Sequence, residues 1–460
     1  MEEVLQEQPI PTTNTHRVCK VLPFVICFLA SFFYVYEFFL RVVPSAITHE
    51  LMRDFNINAG QLSFMSAFFY YAYTPMQVPA GILLDRFGAR KLLSISMLLC
   101  GLGAILFGFT TRNYMFVVSR FAIGFASSFA FVGALVLAAR WFPPKYFALI
   151  TGLIQLMGCI GAIAGEAPVA ILTNYIGWQQ LMIWSGVVGI VIAVLFWLII
   201  RNGPNKIDSH AHLEFNEKAS GLWQNLSNEL NRLLYVCKNS QTWLVGICSF
   251  CCWAPVVIFA SLWGISFLMV DYNISATAAS VGSTFVWLGL GITSPIIGWW
   301  SNAIQSRRIP LIISFLVAIV TSLVVIYIPH PSWILMNFML FFFGAAASAQ
   351  SITFGLVQDN NPISVEGTAM GFNNMAIIFG GVVMQPMTGW LLNLCWSGKM
   401  VNGAPFYSMA CYEKALVLIP ICGVVGLITA IFFLKETHCR PQFSSELPSS
   451  ISNANYSEIS

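Results

Sequence analysis

Four ionisable residues interrupt long apolar runs of this 460-residue sequence. Glu37 and Arg41 lie in one run, Arg120 lies in a second and Glu166 in a third. Each would cost on the order of 2.5–3.5 kcal/mol at the centre of an isolated helix in lipid, so each needs a partner or water. A guanidinium forms two-pronged hydrogen bonds with carboxylates, and a carboxyl group with a changing environment can take up or release a proton. These residue types therefore point to anion binding and proton transfer.

The runs around these residues predict membrane-spanning helices. The chain is 57% hydrophobic and 9% charged, whereas soluble domains carry about 25% charged residues. Runs of roughly 20 apolar residues, which suffice to cross a bilayer, predict an all-α polytopic membrane protein with twelve transmembrane helices in two pseudo-symmetric six-helix bundles. The expected spans are 21–46, 60–84, 91–110, 113–139, 147–172, 178–200, 241–269, 279–301, 309–328, 333–357, 366–393 and 414–434.

A polar stretch between the sixth and seventh spans divides the chain. The expected units are a tail 1–20, a bundle 21–200, a linker 201–240, a bundle 241–434 and a tail 435–460. Leucines recur at helical spacing in the later part of the linker, which favours an amphipathic helix along the membrane surface over a disordered connection.

Two loops show that the halves repeat. GILLDRFGARK begins at Gly81 and GWWSNAIQSRR at Gly298, and the glycine, the polar residue and the basic pair of the two stretches align at an offset of 217 residues. Gly124 and Gly344 align at an offset of 220. Repeats of this kind are typical of transporters that bind a ligand between their halves near the bilayer midplane.

The basic residues predict the orientation. Of the 22 Lys and Arg residues, 16 would lie on the side that carries both termini, and this predicts cytoplasmic termini. The net charge of +3 follows from this topology, so we expect no nucleic-acid partner. All six histidines lie in tails or loops and the cysteines lack metal spacing, so neither an enzyme nor a metal or other cofactor is expected. Short loops and tails favour a bacterial inner membrane, and each chain could form a complete pathway as a monomer.

The stretch Gly81–Lys91 resembles the signature G-x-x-x-D-R-x-G-R/A-R/K of the major facilitator superfamily (MFS), and Arg120-Phe-Ala-Ile-Gly124 is similar to that family's R-x-x-x-G pattern. The resemblance covers all twelve spans. It implies a secondary transporter and a conformational latch at the first loop, with members Gly81, Asp85, Arg86, Gly88 and Arg90. It also implies that Arg41 anchors an organic anion and that Arg120 takes part in proton coupling. The antiporter pattern G-x-x-x-G-P-x-x-G-G is not met after Gly161, which favours symport.

Depths counted along the helices place the four charged residues in one layer of the first bundle. Glu37 and Arg41 share one helix face, while Glu166 and Arg120 are available to each other at a similar depth. Two buried salt bridges are the structural interpretation, but such pairs are often energetically neutral against apolar packing. The functional interpretation, which we favour, makes Arg41 a substrate anchor with Glu37 beside it, and makes Glu37, Glu166 and Arg120 the proton-coupling residues.

Neutral side chains could complete a binding site. Tyr70, Tyr73 and Gln77 follow one another at helical spacing in the second span, and Trp253 and Gln350 could line the opposite wall from the second half.

The leading hypothesis is proton-coupled symport, by alternating access, of a small solute with a carboxylate, such as an organic acid, an amino acid or a short peptide. A proton-coupled drug or metabolite exporter and a non-transporting membrane sensor are the alternatives.

Overall fold

The computed structural model describes residues 21–143, 147–203 and 222–442. Side chains are described throughout these ranges except at residues 85, 147–149, 222–229 and 364. The expected tails therefore lie largely outside the described residues.

Helices dominate the described chain. Those before the linker are α1 (Leu22–Ala46), α2 (Thr48–Asp54), α3 (Ala59–Tyr73), α4 (Gln77–Phe87), α5 (Ala89–Gly108), α6 (Asn113–Trp141), α7 (Phe147–Ala164) and α8 (Ala167–Ile199). Those that follow are α9 (Leu222–Lys238), α10 (Ser240–Ile258), α11 (Gly264–Tyr272), α12 (Ala276–Ala303), α13 (Arg308–Tyr327), α14 (Trp333–Ala347), α15 (Gln350–Asp359), α16 (Glu366–Leu394), α17 (Met409–Leu416) and α18 (Leu418–Ile428).

Ten helical stretches of the described residues are long and apolar enough to cross a membrane. The longest, Ile150–Ile199, has 50 residues and contains two crossings, because Gly177 adopts a positive φ of 76° and breaks the helix there. A further crossing runs through α3 and α4, which Pro75 separates. These observations are consistent with the twelve predicted spans and confirm the all-helical membrane fold.

Equivalent helices of the two bundles approach each other closely at glycine residues. A Cβ atom added at Gly124 in α6 would lie 2.1 Å from the carbonyl oxygen of Phe69 in α3, and one added at Gly344 in α14 would lie 1.8 Å from that of Val286 in α12. Phe69 and Val286 are themselves 217 residues apart, like the matched loops. The same helix pairs therefore meet at equivalent glycines in both halves, because only glycine lets two backbones approach this closely.

The first helix of each bundle is irregular at the same level. Pro44 lies inside α1, and the seventh span passes through a π-helical turn, Phe259–Trp263, between α10 and α11. Ser261, at the centre of that turn, is 217 residues after Pro44. Irregular turns in membrane helices free backbone groups or redirect side chains, and they often mark functional sites.

The linker contains the predicted helix. It is α9, which contacts α4 of the first bundle and α16 of the second. Its placement along the membrane surface stays a prediction.

Loops at the two ends of the bundles differ in charge. We call the end with Arg86, Arg90, Arg307 and Arg308 the basic face, and the other end the opposite face. At the opposite face a hairpin of β1 (Met400–Val401) and β2 (Ala404–Pro405) follows α16.

The bundles are joined at the opposite face. The backbone N–H of Ala59 donates to the Tyr407 hydroxyl at 2.8 Å, and Trp263 Nε1 donates to Ser63 Oγ at 3.0 Å. His49 Nε2 lies 3.2 Å from the carbonyl oxygen of the hairpin residue Val401. The structure therefore represents a state that is closed at this end.

Candidate substrate-binding site

Glu37 and Arg41 form a buried ion pair on α1. Arg41 donates from Nε to Glu37 Oε1 at 2.8 Å and from Nη2 to the same oxygen at 2.5 Å. The two side chains are only 0% and 2% exposed, and their spacing of four residues places them on one helix face. Glu37 Oε2 has no hydrogen-bond partner. The pair is thus present as predicted, with one carboxylate oxygen left unused.

Aromatic rings surround the guanidinium of Arg41. Its central carbon lies 4.4 Å from the ring centre of Phe38, 5.3 Å from that of Phe69 and 5.2 Å from that of Tyr73. Such ring faces attract a cation and exclude water. Tyr73, one of the predicted site residues, therefore contacts the predicted anchor.

Arg120 does not pair with Glu166, so the second salt bridge of the structural interpretation is absent. Its Nη1 donates to the carbonyl oxygen of Leu40 at 2.9 Å, and its Nη2 lies 3.5 Å from that of Arg41. Because Pro44 has no N–H, the Leu40 carbonyl four residues earlier lacks its partner within the helix. Arg120 supplies the missing donor, so it fixes the backbone beside Arg41.

Glu166 instead reaches into the second bundle. Its Oε1 accepts from Trp287 Nε1 at 2.8 Å and from Ser283 Oγ at 3.0 Å, both on α12. The residue lies in the break between α7 and α8, which turns its side chain toward the partner bundle, and it is fully buried. Glu166 Oε2 has no hydrogen-bond partner. The indole N–H of Trp287 needs an acceptor in the membrane, and the carboxylate of Glu166 supplies it.

An aromatic group links the two carboxylates. The Phe38 ring centre lies 6.3 Å from that of Trp253 and 5.8 Å from that of Trp287, and the two tryptophans are 6.3 Å apart. Trp253 Nε1 has no hydrogen-bond partner although the residue is buried. Trp253 therefore contributes a ring and a free donor from the second bundle, next to the residue that stacks on Arg41.

The other predicted site residues are more widely distributed. Tyr70 is fully buried on α3 and packs against Gly381 of α16, where an added Cβ would lie 2.4 Å from its ring. Gln77 lies nearer the basic face and accepts a hydrogen bond from Asn374 of the second bundle. Gln350 begins α15 in the second bundle and is buried there.

Sequence reasoning missed two partners of the charged residues. Phe38 stacks on Arg41 and joins it to the tryptophans, and Ser283 binds Glu166. One signal existed for Phe38, because residues three and four positions apart along a helix are neighbours and Phe38 lies three positions before Arg41. Ser283 is an ordinary serine in an apolar helix, and only the packing of α7 and α8 against α12 reveals it.

The first basic loop is held by the end of the sixth span and the first residues of the linker. Gly88 has a φ of 80°, which favours glycine, and the backbone N–H of Arg90 donates to Asn202 Oδ1 at 2.9 Å. Arg90 also donates from Nε to the carbonyl oxygen of Trp197 at 2.8 Å. The side chain of Asp85 lies outside the described residues, so its role in a latch stays a prediction. The roles of Gly81 and Arg86 in a latch also stay predictions, and both residues lie on α4.

The second basic loop uses a carboxylate from the chain beyond the last span. Glu436 accepts from the backbone N–H groups of Arg307 and Arg308 at 2.8 and 3.0 Å, and thereby caps the start of α13. Burial raises the pKa of Glu436, but hydrogen bonds from Ser306 and from these backbone groups outweigh it, so its pKa lies below the ordinary value. Arg307 Nε in turn donates to Asp359 Oδ2 at 3.2 Å. The equivalent loop is thus fixed partly by Glu436, which lies beyond the last span.

Fold and sequence define a class of membrane transporter. Residues 27–267 and 245–453 match the profile of the Major Facilitator Superfamily, and the chain belongs to this family. The protein is accordingly an integral membrane transporter and not an enzyme.

Relatives within this family include proteins named as transporters. The chain is 23% identical over 405 residues to the "Probable galactarate/D-glucarate transporter GudP" of Escherichia coli (strain K12), with 80% of this chain and 86% of that protein covered. It is 29% identical over 169 residues to the "Uncharacterized transporter YybO" of Bacillus subtilis (strain 168), a match that covers 37% of this chain and 39% of that protein.

A solved structure shares the fold. The bacterial homologue of the human lysosomal transporter Spinster, in an inward-facing and unoccupied conformation, superposes with a TM-score of 0.68 at 14% identity. The superposition covers 90% of this chain and 96% of that chain.

Proposed function

We propose that the protein is a proton-coupled symporter of a small solute that carries a carboxylate, such as an organic acid, an amino acid or a short peptide. The buried ion pair of Glu37 and Arg41 carries this proposal. Arg41 is a donor enclosed by aromatic rings, and its present partner is a carboxylate of the same chemical kind as the solute group. The relative GudP is named as a probable transporter of galactarate and D-glucarate, which are dicarboxylates, and this supports the solute class.

The binding step is an exchange of carboxylates. When the solute binds Arg41, Glu37 loses its partner inside a site that excludes water. Breaking one side of a buried pair leaves an uncompensated charge, which costs about 3–5 kcal/mol. A proton on Glu37 removes that charge, so solute and proton bind together. Arg120 keeps the backbone at Leu40 and Arg41 fixed during this exchange.

Glu166 couples a proton to the contact between the bundles. As a carboxylate it accepts from Trp287 and Ser283 across the interface. A protonated carboxyl is a weaker acceptor than a carboxylate, so a proton on Glu166 weakens this contact. Opening at the opposite face requires the contacts between the bundles to weaken, because the bundles are joined there.

Alternating access then moves the bundles about the site. The closed contacts at the opposite face, including those of Ala59 with Tyr407 and Trp263 with Ser63, must break in the second state. The first basic loop, with Gly81, Asp85, Arg86, Gly88 and Arg90, latches the basic face in that state. By the positive-inside rule the basic face is cytoplasmic, and we place the protein as a monomer in a bacterial inner membrane with both termini in the cytoplasm.

Proton uptake into liposomes tests this function. Purified protein is reconstituted with a pH-sensitive dye inside, and pools of sugar acids, other organic acids, amino acids and short peptides are added outside. We expect at least one pool to acidify the lumen. Arg41→Ala and Glu37→Gln should abolish the signal while the protein stays folded.

Two variants serve as matched controls. Arg112 is an exposed arginine at the start of α6 and Glu50 an acid of α2 near the opposite face; Arg112→Ala and Glu50→Gln should leave the signal unchanged. If Arg41→Ala and Glu37→Gln transport normally, the pair is structural and the proposal is wrong. Solute binding without flux would identify a sensor, and alkalinisation of the lumen by added drugs would identify an exporter.

A further inference from the structure

A second polar cluster lies at the depth of the ion pair, and every member is neutral. We call it the neutral cluster, and its members are Ser66, Tyr70, Ser261 and Gln385. All four are buried, with exposed fractions between 0% and 2%. They come from three different spans, two of which belong to the second bundle.

The register of α3 against α16 brings the cluster together. Gly381 packs on the ring of Tyr70, and an added Cβ at Gly389 would lie 2.3 Å from Ser63 Oγ. Gln385 is one helical turn from each of these glycines, so it shares their face. Ser66 lies between Ser63 and Tyr70 on α3 by the same spacing. Gln385 and Ser66 therefore face each other across the bundle interface.

The polar atoms of the neutral cluster are not satisfied by the protein. Ser66 Oγ and Gln385 Oε1 have no hydrogen-bond partner among the described residues. The hydroxyls of Tyr70 and Ser261 lie near each other but without hydrogen-bond geometry. Buried polar groups almost always have partners, and groups without one are costly in a membrane, where no bulk water is available. Four such atoms in one place indicate a binding site for something polar.

The neutral cluster lies at the depth of Arg41. Counted along the helices, Arg41 lies about 8 Å from the opposite-face end of α1, Ser66 about 10 Å from that end of α3 and Gln385 about 14 Å from that end of α16. Tyr70 follows Phe69, whose ring lies 5.3 Å from the Arg41 guanidinium. Tyr70 itself lies close enough to Arg41 to interact with its charge, so a small solute that binds Arg41 can reach the cluster.

We propose that the neutral cluster binds hydroxyl groups of the solute, so that the substrates are hydroxylated acids. This inference rests on the proposed function, because it takes the solute carboxylate to bind Arg41. Serine, tyrosine and glutamine side chains all donate and accept, as an alcohol does, and the cluster has no charge. An ammonium group would require a carboxylate, and the nearby carboxyl of Glu37 is neutral in the loaded site, because in the proposed exchange it takes up a proton when the solute displaces it from Arg41.

Paired acids of equal length test the inference. Binding is measured by calorimetry on the detergent-purified full chain with galactarate against adipate, and with gluconate against hexanoate. Each unsubstituted acid lacks the hydroxyl groups of its partner. We expect the hydroxylated acids to bind at least about tenfold more tightly, since the unsubstituted acids leave the buried groups unpaired.

Substitutions in the cluster separate recognition from packing. Ser66→Ala and Gln385→Met remove the hydrogen-bonding groups with little change of volume. We expect each to reduce the preference for the hydroxylated acid by about tenfold while the Kd of the unsubstituted acid stays the same. Ser322→Ala is the control, because Ser322 is an equally buried serine whose hydroxyl binds the carbonyl of Ile319.

The outcomes distinguish this inference from the proposed function. Equal affinity for both members of each pair, or equal weakening of both by the variants, would overturn it. The inference is also overturned if galactarate and gluconate do not bind while another acid drives proton uptake. In that case the proposed function stands. If no acid drives proton uptake in liposomes, the proposed function fails and takes the inference with it.

Discussion

The two bundles pack in the same way but carry different chemistry. Gly124 and Gly344 bring equivalent helices together, and both first helices are irregular at Pro44 and Ser261. The four intramembrane charges of the site, however, all belong to the first bundle, while the second faces them with tryptophans and neutral polar groups. Glu166 shows how the halves cooperate, because the hydrogen bonds described for its side chain are to the second bundle. Packing thus follows the repeat, whereas the ionisable chemistry is concentrated in one half.

The largest expected effect comes from the close helix contacts at glycine, which both bundles share. Gly124→Ala and Gly344→Ala each place a Cβ atom about 2 Å from a backbone oxygen, which forces helices apart. We expect both to lower the free energy of unfolding by about 1–3 kcal/mol, measured as reduced thermal stability in detergent. Gly298→Ala is the control, because nothing lies within 4 Å of its added Cβ. If only one half responds, the equivalence of the two glycines is wrong.

A smaller loss is expected when the support of the first helix is removed. Arg120→Gln shortens the donor that binds the Leu40 carbonyl, and hydrogen bonds of charged groups contribute about 1.5–3 kcal/mol. We expect a solute affinity at least about tenfold weaker, measured by calorimetry. Ala substitution of Arg112, which is exposed, should change nothing. Unchanged affinity in Arg120→Gln would show that Arg41 is positioned without it.

A substitution of Glu166 tests whether proton coupling depends on this carboxyl group of the first bundle. In Glu166→Gln the side-chain oxygen still accepts from Trp287 and Ser283, but the side chain can no longer change its protonation state. We expect solute counterflow to continue while solute-driven acidification falls by about an order of magnitude. Both are measured on the same liposomes, so loss of counterflow as well would mean that the contact itself, and not its proton, is required.

The smallest effect concerns the basic loops. Glu436→Gln weakens the cap of α13, and loss of a cap typically costs about 0.5–2 kcal/mol. Because the pKa of Glu436 is lowered in the folded protein, this stabilisation is fully present above the ordinary pKa of a carboxyl and is lost as the pH falls below it. The difference in thermal stability between wild type and variant should therefore be full at pH 7 and shrink as the pH falls through the lowered pKa of Glu436. A difference that persists at low pH would contradict the charged cap.

Sequence patterns predicted the fold better than the site. Apolar run length and the matched loops predict the spans and the repeat, because lipid requires every backbone group to be satisfied within a helix. Spacing along one helix likewise predicts the Glu37–Arg41 pair. The pairing of Glu166 with Arg120 was wrong because depth along a helix does not specify which way a side chain faces. The break in the helix at Glu166 turns its carboxylate toward Trp287, and the missing N–H of Pro44 leaves the Leu40 carbonyl as a partner for Arg120. Both contacts are made to neighbouring helices.

The number of protons taken up when the solute binds tests the central claim most directly. It is obtained by calorimetry in buffers of different ionisation enthalpy, with a solute identified in the liposome assay. The exchange at Arg41 predicts about one proton bound per solute in the wild type and fewer in Glu37→Gln, with binding retained, because proton linkage requires a group whose protonation changes. The same proton count in Glu37→Gln as in the wild type would contradict the account.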